Sequence, residues 1–489
     1  MESQPNSLMI KSPEAANPPH WTTRTTLMRH QVDGVQKLHH SRIGALFMEM
    51  GTGKTRTAIE LATMRQGKLN VVVWFCPVSV KQTIAHEILK HTTCDASDVY
   101  IFNDKTDEER INRTARWFVV GIESMSSSSR QIHAVASLIT DKTMVVCDES
   151  TYIKGHSSKR TQRITELSKI ARYRMVLTGT PFTQGPVDLF AQMYFLSPDI
   201  LQYKSFYSFA RKHLVYSDRH KNQITRSLNV HVLTNRMEPY VYQVLKKDCL
   251  DLPEKFYDSA YFDLTDQQLE AYQKAKLDFA DDLLAYVDED GNSSSIAIFR
   301  MFSRLQSIVC GFEGDTVYEH ERIHALKNVV ENLSEYQHIV IWAKFTHSVD
   351  EICKALHSES MPAIRFDGQI NESQRALALT QWREHGGYLV ATQSMGGVGI
   401  DLTQASVVIF YANGFKYSER IQAEDRCHRI GQEESVLYVS LYARCGIENK
   451  IEESIVAKEN VLERFRREIE SIQKLPNAKE GMMKLLDTL

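Results

Sequence analysis

Residues 47–55 read Phe-Met-Glu-Met-Gly-Thr-Gly-Lys-Thr, a glycine-rich turn set between an apolar, strand-like run and a helical pattern. A turn that feeds a helix N-terminus presents backbone N–H groups to an anion. Lys54 then reaches the outer phosphates of a nucleotide, and the Thr55 hydroxyl is placed to ligate Mg²⁺. The strict eight-residue phosphate-loop pattern asks for glycine where this chain has Met48, so the match is to the shorter Gly-x-Gly-Lys-Thr form. Gly51, Thr52, Gly53, Lys54 and Thr55 are therefore candidate nucleotide-binding residues. Short glycine turns recur by chance, and the weight falls on what accompanies this one.

Met144-Val-Val-Cys-Asp148-Glu149 reads as a buried strand ending in two adjacent carboxylates, about 95 residues beyond the loop. Ligands of parallel α/β sheets sit at the carboxyl ends of strands, so both acids are expected beside the phosphate loop. Asp148 is suited to hold Mg²⁺ through water, and Glu149 to orient and deprotonate the attacking water. A solvated turn is the alternative for the acids alone. Leu177-Thr-Gly-Thr-Pro181 ends the next strand, where small hydroxyls either sense the nucleotide or make a simple turn. The second half supplies Gly396-Gly-Val-Gly399-Ile-Asp401-Leu, then Gln422-Ala-Glu-Asp-Arg426-Cys-His-Arg429-Ile-Gly-Gln432. Arg426 and Arg429 share a face if helical. Two arginines aimed at a γ-phosphate stabilise its spreading charge, an effect worth about 10³–10⁵ in rate. The neighbouring Glu424 and Asp425 leave a surface salt-bridge helix as the bland alternative.

The bulk properties fit this reading. A chain of 489 residues is long enough for two or three domains. Hydrophobic residues make up 43% and charged ones 24%, as in soluble globular proteins. The eight cysteines are scattered without a C-x-x-C pair, which argues against zinc ligation and a disulfide framework. With no long apolar run or signal-peptide pattern, a soluble, cytoplasmic protein without a membrane partner is expected. The net charge of −3 advertises no global basic field. Locally, residues 201–250 carry nine Lys/Arg against three acids, either a solvated helical face or a DNA-facing surface.

Short β-branched runs alternate with helical patterns, giving strand candidates at 71–77, 117–122, 144–147 and 174–177. A second set follows at 339–343, 363–366, 388–391, 407–411 and 436–442. Continuous apolar strands separated by helices imply two α/β domains with parallel sheets. The expected division is a flexible lead-in over 1–20, a first lobe over 21–245 with a helical insertion after about 182, and a linker with helices over 246–321. A second lobe over 322–445 and a C-terminal helical brace over 446–489 complete it. Residues 266–286 read as helix and 288–295 as a polar loop.

Taken in order, these motifs resemble the Snf2-type branch of the superfamily 2 helicase-like ATPases, over about residues 25 to 460. Leu27-Met-Arg-His-Gln31 is similar to the adenine-reading motif, with Gln31 as base contact. Phe75-Cys-Pro-Val-Ser79 is similar to the next motif, and the Asp148-Glu-Ser-Thr-Tyr-Ile-Lys154-Gly run to the Asp-Glu-x-x box. Thr178-Gly-Thr-Pro181 with Asp188-Leu-Phe, Asp251-Leu-Pro-Glu, and Gly446-Ile-Glu-Asn-Lys-Ile-Glu-Glu complete the series. The chain departs from many members at Met48, where they carry Asp, and at Ser150-Thr151, where they carry Ala-His or Ser-His. It departs again at Phe415-Lys-Tyr, where they carry Trp-Asn-Pro. These departures point away from close kinship with chromatin remodellers; the short chain looks more like the compact members found in phages and bacteria, acting in a bacterial or phage-infected host cell.

The resemblance implies two RecA-like lobes, ATP and Mg²⁺ as cofactors, and DNA as partner. ATP would be bound by the loop and Gln31, with Gly399 and Asp401 from the second lobe. Arg426 and Arg429 would complete the site on closure. It also implies sequence-nonspecific contacts to a DNA strand near Lys81, Ser124, Lys154, Thr180, Arg365 and Thr392. The expected activity is an ATP-driven translocase that remodels duplex or branched DNA. Protein displacement, strand separation and a nucleotide-dependent clamp are the alternatives.

Overall fold

The apolar runs around the glycine turn and the acidic pair form strands buried on both faces. Val71–Cys76, with sequence VVVWFC, is buried at all but its first residue, and Thr143–Cys147 is buried throughout. Such strands need helices on both sides, which is the condition for a parallel sheet. The computed structural model describes residues 21–179, 181, 185–216, 224–285, 294–333, 335–397, 399–472 and 477–489. The 1–20 lead-in, residues 288–293 of the expected polar loop and Thr180 lie outside these residues; the loop's last two positions, Ser294 and Ser295, instead open the Ser294–Val309 helix.

The described residues fall into two compact units. One takes those of 1–48, 53–208 and 230–243; the other takes those of 49–52, 209–229 and 244–489. The first unit holds a seven-stranded sheet. Its order is Val99–Ile101, Trp117–Gly121, Val71–Cys76, Thr143–Cys147, Tyr173–Thr178, Ile43–Met48, Val241–Val244. The pairs from Val99–Ile101 across to Ile43–Met48 are parallel. Arg65 is buried on this sheet, donating to the Leu38 and Ser41 carbonyls at 2.8 Å each and stacking over Tyr173. Burial lowers its pKa to about 10.

The second unit holds a six-stranded sheet in the order Lys255–Phe262, Val436–Ala443, Val407–Phe410, His338–Ala343, Gly387–Thr392, Ala363–Phe366. All its pairs are parallel. The expected α/β class, with two parallel sheets, helical insertions and C-terminal helices, is what the chain adopts. The edge strand Lys255–Phe262 falls in the stretch expected to be a linker with helices. Only Phe262 of its eight residues is buried, so the apolar signature of a central strand is missing. The helix expected over 266–286 runs from Asp266 to Ala285.

The C-terminal helices Gly446–Val456, Val461–Ile472 and Ala478–Asp487 send Ile447, Ile451, Phe465, Ile469, Met482 and Leu485 into this unit's core. Glu448 forms a fully buried ion pair with Arg322 at 2.9 Å. The Tyr272 hydroxyl donates to the Leu489 carbonyl at 2.6 Å and accepts the Ile447 N–H at 3.0 Å. No helix among the described residues is long and apolar enough to cross a membrane.

Candidate active site

The strands Thr143–Cys147, Tyr173–Thr178 and Ile43–Met48 are neighbours in the first sheet, so the residues that follow them gather at one edge. After Met48 the Thr52 N–H and hydroxyl donate to the Glu49 carbonyl at 3.3 and 2.7 Å, closing the turn. Gly51 and Gly53 adopt φ of +80° and +85°, where a side chain would be strained. Lys54 opens the Lys54–Met64 helix, and Thr55 is its second residue. A Cβ at Gly53 would fall 2.1 Å from Gln31 Nε2, so the buried Gln31 amide lies directly against the loop. Gln31 Oε1 accepts the Met28 N–H at 3.0 Å, which fixes the amide's direction. Arg56 holds the segment before Gln31 to the same helix. It donates to Thr25 O and Oγ1 at 2.6 and 2.8 Å and pairs with Glu60 at 2.7 Å.

Asp148 is buried at the end of its strand. Glu149 N–H donates to Oδ1 at 2.9 Å and Trp74 Nε1 donates to Oδ2 at 3.3 Å. Burial, then the adjacent Glu149 carboxylate, push its pKa up to about 6, and Lys54 only partly offsets them. Glu149 is half-buried and sits at φ +46°, in the left-handed region. A non-glycine residue there carries about 1–3 kcal/mol of strain, a condition concentrated at functional sites. Gln31, Gly53, Lys54, Asp148 and Glu149 are thus all placed in the first unit.

Of the residues expected to touch DNA, Lys81, Lys154, Arg365 and Thr392 have internal partners. Lys81 donates to the Phe102 carbonyl at 2.6 Å, and Lys154 pairs with the buried Asp188 at 3.6 Å. Ser124 opens the short Ser124–Ser127 helix, whose Met125 and Ser126 carbonyls accept from Arg163 at 2.9 Å each. Arg160 donates to Ser126 Oγ at 3.2 Å and lies over the Tyr152 ring. In the second unit Arg365 is held by Asp367 at 2.6 Å, by Gln369 at 2.6 Å and by Asp350. The hydrogen bonds it donates to Asp367 raise its pKa. Thr392 is buried, its hydroxyl sharing a hydrogen bond with Ser394 at 3.1 Å.

Arg426 and Arg429 do not share a helical face. The Tyr417–Cys427 helix stops before Arg429, with His428 as its cap and Gly431 at φ +100°. Gln432 folds back, donating to the Ala405 and Cys427 carbonyls at 3.0 and 3.1 Å, which turns the chain away from the helix axis. Both arginines are half-buried. Gly399 is half-buried, and the exposed Asp401 accepts from Thr403 N–H and Oγ1 at 3.1 and 3.0 Å.

Glu424 and Asp425 are buried, not the surface acids of a salt-bridge helix. Desolvation alone would raise the Glu424 pKa, but Arg420 at 2.8 Å and Lys255 at 3.0 Å outweigh it and hold it below the usual range. Asp425 is pushed up by burial despite its pairing with Lys246. The Lys246 ammonium also donates to the His428 carbonyl at 2.8 Å, and His428 Nε2 meets the Pro253 carbonyl at 2.8 Å. Residues 246–255 therefore grip the positions just before each arginine. Lys246, counted with the basic stretch, is turned inward; Lys247 is exposed.

Residues 29–312 match the SNF2-related domain, and residues 321–431 match the helicase conserved C-terminal domain. The first match alone covers more than half of the 489 residues. The chain belongs to the SNF2 family. Relatives of this SNF2-family chain include the mouse chromodomain-helicase-DNA-binding protein 1-like, 26% identical over 89% of this chain and 49% of that protein. A Caenorhabditis elegans SWI/SNF-related subfamily A-like protein 1 homologue is 28% identical over 61% of this chain and 42% of its own length. The Saccharomyces cerevisiae DNA repair and recombination protein RDH54 is 25% identical, with 73% and 41% covered. The SNF2-family chain thus spans about half the length, or less, of these curated relatives.

Proposed function

We propose that this chain is a DNA-dependent ATPase that tracks along duplex or branched DNA without reading sequence. The finer reading is remodelling of branched DNA by branch migration, fork regression or annealing. The observation that carries the ATPase reading is Asp148, buried short of countercharge beside Glu149 and Lys54 at the edge where the glycine loop also ends.

The backbone N–H groups at 51–55 and Lys54 would hold the phosphates, and Gln31 would contact the base. A hard cation fits the donors present: the Thr55 hydroxyl and the Asp148 carboxylate, whose raised pKa a divalent ion would reverse. Mg²⁺ held there supplies charge neutralisation across the phosphates. Glu149, fixed by its left-handed backbone, orients the attacking water and takes its proton. Arg426 and Arg429 are the counter-charges for the γ-phosphate as it leaves. Gly399 and Asp401 are further proposed nucleotide contacts.

DNA as the partner is supported by family membership and by the names of the mouse and yeast relatives. Lys81, Ser124, Lys154, Thr180, Arg365 and Thr392 are the proposed contacts. Backbone contacts of this kind position without specifying, so affinity should fall steeply with salt. The test is ATP hydrolysis with no nucleic acid, single-stranded DNA, duplex DNA, a four-way junction, and RNA. Strong stimulation by duplex or junction supports the proposal. Stimulation by single strands only favours an unwinding helicase, and none at all favours a clamp.

A further inference from the structure

Two polar side chains lie fully buried behind the acidic pair, and no step above uses them. Ser150, next after Glu149, donates its hydroxyl to Gln192 Oε1 at 2.6 Å. Gln192 sits on the Val187–Leu196 helix, whose other buried residues are apolar apart from Asp188 at its start. The Gln192 amide nitrogen donates to the Asp188 carbonyl at 2.8 Å and the Pro181 carbonyl at 3.3 Å. The buried Asp188 carboxylate in turn pairs with Lys154 at 3.6 Å. One side chain thus joins the residue after Glu149, the Pro181 carbonyl beyond the neighbouring strand, and the helical turn that holds Lys154. All of these residues belong to the first unit.

An apolar pair would fill the same space with no hydrogen-bonding demand, whereas a broken pair leaves a buried amide costing about 1–3 kcal/mol. A satisfied polar cluster in an apolar setting fixes the mutual register of the segments it joins. Glu149 needs such fixing, since its left-handed backbone persists only where its surroundings over-determine it.

We propose that Gln192 is a positioning residue: through Ser150 it couples the Glu149 backbone to Pro181 and the Asp188–Lys154 pair, so that DNA engaged at Lys154 sets the geometry for water attack. This rests on the reading of the chain as a DNA-stimulated ATPase with Lys154 facing DNA. The test uses the full chain with Gln192→Leu, Ser150→Ala and both together. For each, kcat and KM for ATP are measured without DNA and with saturating duplex, alongside thermal unfolding. The ATP KM should hold within about twofold while kcat with saturating duplex falls roughly five- to tenfold and basal kcat falls by less, so that DNA stimulation shrinks, the double variant being no worse than either single. Undiminished stimulation in Gln192→Leu would overturn the inference, as would losses that simply add. If Gln192→Leu does not fold, Ser150→Ala carries the same comparison. A parent chain that DNA does not stimulate would instead sink the functional reading itself, and the inference with it.

Discussion

Asp148→Asn should make the nucleotide-free protein more stable while abolishing its ATPase. The Asp148 carboxyl titrates near 6 in the folded chain against an ordinary 3.8, because burial and the adjacent Glu149 carboxylate both oppose its ionisation. A carboxyl whose folded pKa exceeds its unfolded one costs stability wherever it is ionised. The unfolded chain gives up its proton first, so stability falls as pH rises from about 4 through 6 and stays low above. At 1.36 kcal/mol per pKa unit the cost above pH 7 is about 3 kcal/mol, shrinking to roughly half of that at pH 5. For a unit of this size it corresponds to roughly 5–10 °C in melting temperature. The assay is thermal unfolding of parent and variant at pH 8 and pH 5. Comparing the two pH values cancels the constant difference between an amide and a neutral carboxyl. The variant's advantage should be larger at pH 8 by about 1–2 kcal/mol. An Asp148→Asn protein less stable than the parent at pH 8, with a gap that does not change with pH, would refute the reasoning.

Lys54→Ala should remove ATPase activity, and near-normal turnover in a steady-state assay would contradict the phosphate-loop assignment. Arg429→Ala should keep nucleotide affinity close to parental while hydrolysis falls by about 10³, as single-turnover kinetics would show; a large loss of affinity would make Arg429 a ground-state ligand. Lys247→Ala should lower the salt slope of DNA binding by about one, whereas the buried Lys246 should leave it unchanged. Lys246→Ala should instead destabilise the chain by about 3–5 kcal/mol in denaturant unfolding, by stranding Asp425.

What could be read from the sequence divides along physical lines. Strands buried on both faces, such as Val71–Cys76 and Thr143–Cys147, announce themselves as unbroken apolar runs. The edge strands Val99–Ile101 and Lys255–Phe262 carry no such run, because much of their length faces solvent, and the sequence pattern does not mark them. The phosphate loop was legible because its function is written in consecutive residues. Its supports were not, since their partners are remote in sequence. Arg56 lies 31 residues from Thr25, Ser150 lies 42 from Gln192, Trp74 lies 74 from Asp148, and Lys246 lies 179 from Asp425. Lys246 illustrates the limit: its charge placed it among surface basics, but charge alone does not say which way a side chain turns. Arg429 illustrates another, because an i,i+3 spacing has meaning only if the helix continues past Cys427.

The buried carboxylates, weighed against one another, indicate where the chemistry belongs. Glu424 has Arg420 and Lys255 as direct partners, and Glu448 has Arg322. Those charges are compensated where they stand, and a structural role accounts for them. Asp148 has an indole N–H at 3.3 Å and a backbone N–H, neither of them cationic, and a second carboxylate on the next residue. Folding alone gives no reason to bury a carboxyl beside another, and Glu149 adds backbone strain to the repulsion. The stability given up at this pair is recovered only when positive charge and a phosphate chain enter from outside. That is the condition a nucleotide-hydrolysing site must meet, and among these acids Asp148 and Glu149 meet it beside Lys54.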